Sequence, residues 1–456
     1  MGKCEQLVAD LRARLEEGTL GAGARLRPIR ALARERGLSK NTVIEAYDRL
    51  VAEGWIVARA GSGFFVRDGP GPLRRVEAAA PQRLHQAVDS VSLLKAQLDR
   101  AFDLRVGDGR PPRAWTAATL PRRLPSMLQE DGGVDGEGYG SAFGDAELRR
   151  HVAARQAAQG CVTSPDRIVT TFGANHALDL LIRRYLPAGS TVLVDDPGYY
   201  PLFAKLRLAG IAVEGVRRGP TGPDLDHLAD QVRVHAPAMF FTQSRGQNPT
   251  GTSMDARTAH GVLSIAHGAG MTVVDDDPFI DLPEMPGTRL ATLDAFGIVL
   301  TVGTYSKLLH AGLRAGFVMA TSAVAAEVAE MKMLTCVNSS RVVEAMVAQI
   351  MASRRYDTHV ARYAARLAAA RRRVAIGLAE LGLSLPDGSG LYAWLELPPS
   401  IDAGLLADAA SQQGIFLAPG HIFQVEPTQG SAMRINLARA DDPRFFAFLS
   451  KAIKKA

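Results

Sequence analysis

The sequence predicts an α/β protein built on a mostly parallel sheet of seven strands, preceded by a small helix-turn-helix domain. From residue 168 onward, short β-branched apolar runs alternate with helical stretches, which is typical of a parallel sheet with helices on its faces. The first 67 residues show instead short amphipathic helices separated by glycines, followed by a hairpin. The predicted strands span residues 168–171, 191–195, 212–216, 238–242, 272–275, 298–302 and 317–320.

Length and composition favour an intracellular protein of two or more domains. The 456 residues exceed the usual size of one domain, and the hydrophobic fraction of 47% and charged fraction of 22% are ordinary globular values. Three scattered cysteines fit neither a disulfide framework nor a zinc site. No signal peptide opens the chain, and no apolar run reaches the roughly 18 residues of a membrane span. We therefore expect a cytoplasmic protein with no metal.

The charge is unevenly distributed. Residues 1–67 contain 12 Lys and Arg against 8 Asp and Glu, so 4 of the 6 net positive charges lie in this first part. Such an asymmetry indicates a nucleic-acid partner for the front of the chain.

The front part has the pattern of a DNA-reading motif. Ser39 is a good N-cap for a helix that Gly54 ends, and a preceding helix spans residues 29–36. In a helix-turn-helix the start of the second helix meets base edges, and here it carries Lys40, Asn41 and Thr42. A hairpin over residues 55–67, with Gly63 in its turn, could lie along phosphates as a wing. The alternative is that this front domain binds another protein and not DNA.

Residues 68–100 are predicted to be a linker. The run Asp68-Gly-Pro-Gly-Pro72 disfavours regular structure, and its composition indicates an extended connector. We therefore expect domains at 1–67 and 101–456, joined by this linker.

A lysine stands just after the strand predicted over 298–302. It ends the run Thr301-Val-Gly-Thr-Tyr-Ser-Lys307, and Arg314 follows seven residues later. A lysine in an apolar pocket at a strand end has a depressed pKa, and its neutral amine can form a Schiff base with an aldehyde. Thr304, Ser306 and Arg314 could hold a phosphate beside it. A surface lysine is the alternative that this run leaves open.

Glycine and aromatic residues follow two other strands. Gly173 opens a helix through Ala174 and Asn175, and the free N–H groups and dipole at such a helix start favour a phosphate. Tyr199 offers a ring that could stack on a flat heterocycle, although a tyrosine of the core is equally consistent with the sequence.

Polar groups follow the strands predicted over 238–242 and 272–275. The amide of Asn248 could donate to a phenolate oxygen. Asp275, Asp276 and Asp277 would repel one another at a buried strand end unless a cation shares the site. A protonated pyridine nitrogen would be such a cation. A divalent metal is the competing explanation, but no second cluster at ligand spacing supports it.

The front segment resembles the GntR winged-helix family. The resemblance lies in Leu-Ala-Arg-Glu-Arg-Gly-Leu-Ser39-Lys-Asn-Thr-Val-Ile-Glu-Ala-Tyr47, then Ala-Glu-Gly-Trp55 and Gly-Ser-Gly63-Phe-Phe-Val. It implies DNA binding through Arg30, Lys40, Asn41, Thr42 and Gly63. One departure is Arg27-Pro28-Ile29-Arg30, where the family has a serine before the arginine, so operator affinity could differ.

The remainder resembles the fold-type I, aminotransferase-like enzymes that use pyridoxal 5'-phosphate (PLP). The resemblance implies a PLP-transferase fold with a large part over about 140–325 and a smaller C-terminal α+β part over about 330–456, joined by the N-terminal segment. It implies that Lys307 forms the Schiff base and that Asp276 pairs with the pyridine nitrogen. The other implied cofactor ligands are Gly173, Ala174, Asn175, Tyr199, Asn248, Thr304, Ser306 and Arg314.

The resemblance also implies a carboxylate clamp. Arg434, in Ser431-Ala-Met-Arg434-Ile-Asn436, matches the arginine that binds a substrate α-carboxylate by two contacts. A surface charge on an edge strand is the alternative. Phe279 departs from the family, which has a tyrosine there that shares the ring oxygen with Asn248. Because one donor to the phenolate is missing, we expect the internal aldimine to titrate at higher pH than in ordinary aminotransferases.

A GntR-like winged helix, a linker and an aminotransferase-like domain together resemble the MocR subfamily of bacterial transcription regulators. The resemblance implies a homodimeric, DNA-binding regulator that senses PLP, or an amino compound, through an aldimine at Lys307. Tyr139 could reach the phosphate site of the neighbouring subunit. A working aminotransferase with a secondary DNA-binding role is the rival hypothesis.

Overall fold

The computed structural model describes residues 3–16, 19–59, 62–67, 102–116 and 140–455. These residues fall into two compact units, one within residues 1–81 and the other within residues 82–456. The predicted linker 68–100 and Tyr139 lie outside the described residues. Within the described ranges, none of the helices combines the length and the apolar composition that crossing a membrane requires.

The first unit contains three helices and a hairpin, as the sequence predicts. They are α1 (Lys3–Glu16), α2 (Ile29–Glu35), α3 (Lys40–Ala52), β1 (Ile56–Arg59) and β2 (Gly63–Val66). The N-cap of α3 is Ser39, whose Oγ accepts from the backbone N–H of Thr42 at 3.1 Å. Arg25 forms an isolated antiparallel β-bridge with Phe65 of β2. This backbone pairing beside the hairpin was not predicted from the sequence.

Apolar side chains at helical spacing form the core of this unit. The hydroxyl of Tyr47 donates to the carbonyl of Arg27 at 2.7 Å, so the fully buried tyrosine fixes the chain that enters α2. The buried residues around it are Leu7, Val8, Leu11, Leu15, Leu32, Val43, Leu50, Ile56 and Val66.

The second unit is built on a mixed, mostly parallel sheet. All seven predicted strands are present: β3 (Ile168–Thr171), β4 (Thr191–Asp196), β5 (Ala212–Gly219), β7 (Met239–Thr242), β8 (Thr272–Asp277), β9 (Val299–Thr304) and β10 (Gly316–Met319). The two-residue strand β6 (Gly222–Pro223), which the sequence did not reveal, extends the edge. The order is β3-β10-β9-β8-β7-β4-β5-β6, in which β10 runs antiparallel to both neighbours and β6 antiparallel to β5.

Helices cover the sheet and connect its strands. Their amphipathic faces bury aliphatic residues against β-branched strand residues, and most begin at an Asp, Ser or Thr cap. The helices are α4 (Arg113–Thr116), α5 (Ala146–Ala158), α6 (Ala174–Tyr185), α7 (Tyr200–Leu208), α8 (Leu225–His235), α9 (Ala256–Ala269), α10 (Leu290–Asp294), α11 (Ser322–Cys336), α12 (Arg341–Ala352) and α13 (Arg354–Ala379).

A second, three-stranded antiparallel sheet forms the predicted smaller C-terminal part. Its order is β11-β13-β12, so β13 is the central strand. Residues 102–116 return to this sheet, where Leu104 bridges Ile415 and the backbone N–H of Asn436 donates to the carbonyl of Val106 at 2.9 Å. The elements are β11 (Tyr392–Glu396), α14 (Ala403–Ser411), β12 (Ala418–Pro419), β13 (Ala432–Asn436), α15 (Leu437–Ala440) and α16 (Pro443–Ile453).

Candidate functional site

The predicted cofactor residues converge at one edge of the large sheet. Strands β4, β7, β8 and β9 run parallel, so their carboxyl ends lie side by side. The loops after β3, β4, β7 and β9 and the end of β8 place there Gly173, Tyr199, Asn248, Lys307 and Asp276.

The Lys307 amine lies in a polar environment. The side chain is half-buried, and its Nζ donates to the backbone carbonyl of Gly109 at 2.6 Å. It also interacts electrostatically with the carboxylate of Asp276. The sequence predicts an apolar pocket around this lysine but not the backbone oxygen that residues 102–116 bring to the amine.

The sequence predicts that the three consecutive aspartates share one cation, whereas in the structure two of them are bound by groups of the protein itself. Alternation along β8 places the side chains of Asp275 and Asp277 on one face of the sheet and that of Asp276 on the other. Asp275 accepts from Ser244, from the backbone N–H at 2.9 Å and from Oγ at 2.8 Å. Asp277 pairs with the guanidinium of Arg245 at 2.5 Å. Two of the three carboxylates thus have partners within the protein.

Asp276 is the one of these three carboxylates that is only partly hydrogen-bonded within the protein. Its Oδ2 accepts from Nε2 of Gln243 at 2.7 Å, whereas its buried Oδ1 has no hydrogen-bond partner. Burial raises the pKa of Asp276 to about 7; the Gln243 hydrogen bond opposes this shift, Asp277 and Asp275 add to it, and Lys307 also opposes it. An unpaired oxygen on a buried carboxylate is suited to a cationic N–H donor, and a pyridinium nitrogen is one.

A cradle for an anion lies beside the lysine. The hydroxyl of Ser306 is 3.2 Å from both Oγ1 of Thr304 and Nη1 of Arg314. Nη2 of Arg314 donates to the carbonyl of Phe172 at 3.0 Å, which brings the guanidinium to the loop after β3. Because Arg314 is exposed and pairs only with neutral oxygens in these contacts, its charge is suited to a phosphate.

Helix α6 points its amino terminus at this cradle. Gly173 is its N-cap with φ of 82°, and a Cβ there would lie 3.1 Å from the Arg314 guanidinium. Only glycine combines this backbone angle with this approach. Ala174 is half-buried, and the side chain of Asn175, in the same first turn, is exposed to solvent.

Arg434 is fully buried on the central strand of the small sheet, which rules out the surface-charge alternative. Its Nη1 donates to Oδ1 of Asn248 at 2.9 Å and its Nη2 to the carbonyl of Gly107 at 2.5 Å. The guanidinium lies over the rings of Phe423, at 4.7 Å, and Tyr392, at 5.1 Å. Because the amide oxygen of Asn248 accepts from Arg434, the Nδ2 group remains the donor of that side chain.

Aromatic residues complete the site. Tyr199 is half-buried just before α7, and burial, with a smaller contribution from the charge of Asp276, raises its pKa well above the usual value. Phe279 is fully buried, with its ring 6.1 Å from that of Tyr392. The hydroxyl of Tyr392 donates to the carbonyl of Gly109 at 2.8 Å.

Three residues contribute to the site although the sequence did not predict them. Gln243 donates to Asp276 and accepts from the backbone N–H of Asn248 at 2.6 Å, so it connects two predicted residues. Gly109 and Tyr392 meet at Lys307 although they are distant in the chain. The polar run that begins at Gln243, directly after a buried strand, was a signal for the first of these.

The predicted DNA-binding residues lie on the surface of the first unit. Arg30, Lys40, Asn41 and Gly63 are exposed, whereas Thr42 is half-buried with Oγ1 at 2.8 Å from Oγ of the Ser39 cap. Ile44, one turn into α3, is 40% exposed, an apolar surface position that was not predicted from the sequence.

The wing is shaped by a glycine. Gly63 has a φ of 102°, in the region that favours glycine. In the same hairpin, the guanidinium groups of Arg59 and Arg25 lie over the ring of Phe65, at 4.7 Å and 6.0 Å from its centre.

Within the described residues, no group of three or more His, Cys, Asp or Glu could hold a metal ion.

Two family models match the chain. Residues 3–66 match the bacterial regulatory proteins of the gntR family, and residues 103–445 match aminotransferase class I and II. The chain belongs to the aminotransferase class I and II family. In front of this domain it carries a GntR helix-turn-helix, the combination of the MocR-type regulators.

Curated relatives share both parts of this MocR-type chain. The uncharacterized HTH-type transcriptional regulator YdcR of Escherichia coli is 29% identical, over 96% of this chain and 95% of that protein. MocR of Rhizobium meliloti, the probable rhizopine catabolism regulatory protein, is 27% identical over 94% of this chain and 89% of its own length. The chain is thus a MocR/GntR-type transcription regulator with an aminotransferase-like domain.

Among solved structures, LysN of Thermus thermophilus has the same fold. This α-aminoadipate aminotransferase, complexed with N-(5'-phosphopyridoxyl)-L-leucine, superposes with a TM-score of 0.73 at 23% identity, over 81% of this chain and 97% of LysN. The likeness confirms the predicted fold class.

Proposed function

We propose that this regulator binds PLP at Lys307 and senses either the cofactor or an amino compound that competes for it. The observation that carries the proposal is the buried Oδ1 of Asp276, which has no partner although Asp275 and Asp277 are satisfied. A buried carboxylate oxygen without a donor is costly, so a ligand with a cationic N–H would be stabilised at this position.

Each of the surrounding residues would bind a different part of the cofactor. Asp276 would hold the proton on the pyridine nitrogen, and Nδ2 of Asn248 would donate to the ring hydroxyl. Tyr199 would stack on the ring. The phosphate would be held by Ser306, Thr304 and Arg314, together with the start of α6 at Gly173 to Asn175. When bound, PLP supplies an aldehyde carbon for amines and a ring that withdraws electrons from them.

Arg434 indicates which chemical class of effector would bind. A guanidinium that is buried, stacked and fixed by Asn248 and Gly107 presents a planar charge at a constant position. Its buried Nε has no hydrogen-bond partner. Such a group suits a carboxylate, so we propose an amino acid, or another amine with a carboxylate, as the effector.

The DNA-binding role rests on the GntR domain and on its exposed basic surface. Lys40 and Asn41 at the start of α3 would meet base edges, and Arg30 and the wing near Gly63 would lie along phosphates. We propose that the protein acts as a cytoplasmic homodimer, which would read paired half-sites, and that sedimentation of the full-length chain will show this dimer.

Borohydride reduction tests the cofactor part. The full-length protein is mixed with PLP, reduced and digested, and the modified peptide should contain Lys307. The buried Lys332 serves as an internal control that should remain unmodified. A protein that shows no visible absorbance band and no label at Lys307 would overturn this part of the proposal.

DNA binding is tested with fragments selected by the full-length protein from genomic DNA. Lys40→Ala and Asn41→Ala should weaken binding, and Lys454→Ala, an exposed lysine beyond α16, is the matched control. Affinity should also change on addition of PLP or amino acids. Rapid multiple-turnover transamination without selective DNA binding would instead favour the aminotransferase hypothesis.

A further inference from the structure

The carbonyl oxygen of Gly109 accepts two side-chain hydrogen bonds. Nζ of Lys307 donates at 2.6 Å and the hydroxyl of Tyr392 at 2.8 Å. Lys307 follows a strand of the large sheet, whereas Tyr392 begins a strand of the small sheet. Gly109 and Tyr392 are buried, so the acceptor and the hydroxyl donor are shielded from water, whereas the Lys307 side chain is half-buried. One backbone oxygen therefore joins the candidate Schiff-base lysine to the other part of the unit.

The neighbouring carbonyls of this segment are bound by the small part. Asn436 Nδ2 donates to the carbonyls of Asp108, at 2.7 Å, and Arg110, at 2.9 Å. Arg439 donates to the carbonyls of Arg110, at 2.8 Å, and Pro111, at 3.0 Å. The Gly109 carbonyl differs because one of its two donors, Lys307, comes from the large sheet.

We propose that the Gly109 carbonyl, oriented by Tyr392, is a docking position for the Lys307 amine and that covalent capture of the amine releases it. Condensation of the neutral amine with an aldehyde forms a carbon–nitrogen bond, and both amine hydrogens leave with the carbonyl oxygen as water. The ammonium that reaches Gly109 is thereby lost, and the one proton that the nitrogen can still carry would be shared with the ring oxygen rather than with Gly109. An incoming primary amine that takes over the aldehyde carbon returns two hydrogens to Nζ and restores the contact.

Residues 102–116 would then report the bonding state of Lys307. This segment directly follows residues 68–101, which connect it covalently to the DNA-binding part. The inference rests on the proposed function only in that PLP is the aldehyde, whereas the docking contact itself can be tested without any cofactor. Tyr392 acts here as a positioning residue, because it holds the acceptor and not the amine.

Hydrogen–deuterium exchange of the full-length protein without cofactor tests the docking contact. Lys307→Met removes the amine and keeps the length of the side chain, and Tyr392→Phe removes only the hydroxyl. Each should raise the exchange rate of peptides within 102–116, by roughly tenfold for loss of the hydrogen bond from a charged donor and less for the hydroxyl.

Tyr363→Phe is the matched control. Tyr363 is also fully buried and its ring packs edge-on against Trp115 of the same segment, at 5.2 Å, but its hydroxyl has no hydrogen-bond partner. Its removal should leave exchange unchanged. Equal exchange in wild type and Lys307→Met would overturn the inference, and so would an equal rise in Tyr363→Phe.

The wild-type protein incubated with PLP and left unreduced provides the loaded state, and borohydride treatment of a separate sample shows whether Lys307 is labelled. Peptides within 102–116 of the unreduced sample should exchange as fast as those of Lys307→Met. If PLP does not label Lys307, the proposed function fails while the comparison of the cofactor-free variants still decides the docking contact. If label is present and exchange stays at the wild-type rate, release by capture is wrong.

Discussion

Asp276→Asn should stabilise the cofactor-free protein and weaken its hold on PLP. The carboxylate is 8% exposed, and its pKa of about 7 lies roughly 3 units above the usual value of about 3.9. Since one unit corresponds to about 1.4 kcal/mol, the ionised group lowers the free energy of unfolding by about 4 kcal/mol at pH 8. The isosteric amide removes the charge and can still accept from Gln243.

The sign of the pH dependence follows from the raised pKa. Below about pH 4 the carboxyl is protonated in both the folded and the unfolded state, so it costs nothing there. Between about pH 4 and pH 7 the unfolded chain loses its proton first, and stability falls by about 1.4 kcal/mol per pH unit. The advantage of Asp276→Asn should therefore be largest above pH 7 and small near pH 4.

Thermal unfolding at pH 8 and pH 5 measures this effect. A gain of about 4 kcal/mol corresponds to a rise in Tm of roughly 5 °C for a unit of this size. Asp277→Asn is the matched control, because it leaves the buried Arg245 without its partner and should destabilise the protein at both pH values. Retention of PLP after dialysis should fall in Asp276→Asn. An unchanged Tm at pH 8, or wild-type retention of PLP, would refute the assignment of Asp276.

Three further changes have defined outcomes. Arg434→Lys should weaken the spectral response to amino acids by tenfold or more and leave the response to amines without a carboxylate unchanged, as titration of the visible band will show. Phe279→Tyr should lower the pKa of that band by roughly one unit, because it returns a donor to the ring oxygen; a wild-type band that already titrates low, and does not move in Phe279→Tyr, contradicts the expectation. Ser39→Ala should raise hydrogen exchange in α3, since loss of this cap costs about 1 kcal/mol.

The sequence was sufficient for the fold and for the edge of the sheet where the site lies. Alternation of strands and helices predicts a parallel sheet, and parallel strands bring their carboxyl ends together whatever their order. Residues that follow strands, such as Gly173 and Lys307, could therefore be placed at one edge without knowledge of contacts. The strand β6 was missed because two residues carry no periodicity.

The sorting of the aspartates could not be predicted, because it depends on contacts between strands. Ser244 and Arg245 follow the neighbouring strand β7, and the register between β7 and β8 decides which aspartate each one reaches. Arg434 was uncertain for a similar reason: its burial follows from the central place of β13, and strand order in the small sheet is not encoded in local pattern. Gly109 reaches Lys307 across 198 positions of the chain.

The contrast between Asp276 and its neighbours argues for a ligand more strongly than any single motif. Asp275 and Asp277 show that this chain readily supplies partners to buried carboxylates, from a hydroxyl in one case and a guanidinium in the other. Asp276 lies between them and keeps one oxygen without a donor, at a cost of several kcal/mol. A ligand that donates to this oxygen removes that cost, so its contact with Asp276 favours the bound state by more than a hydrogen bond to a solvated carboxylate would.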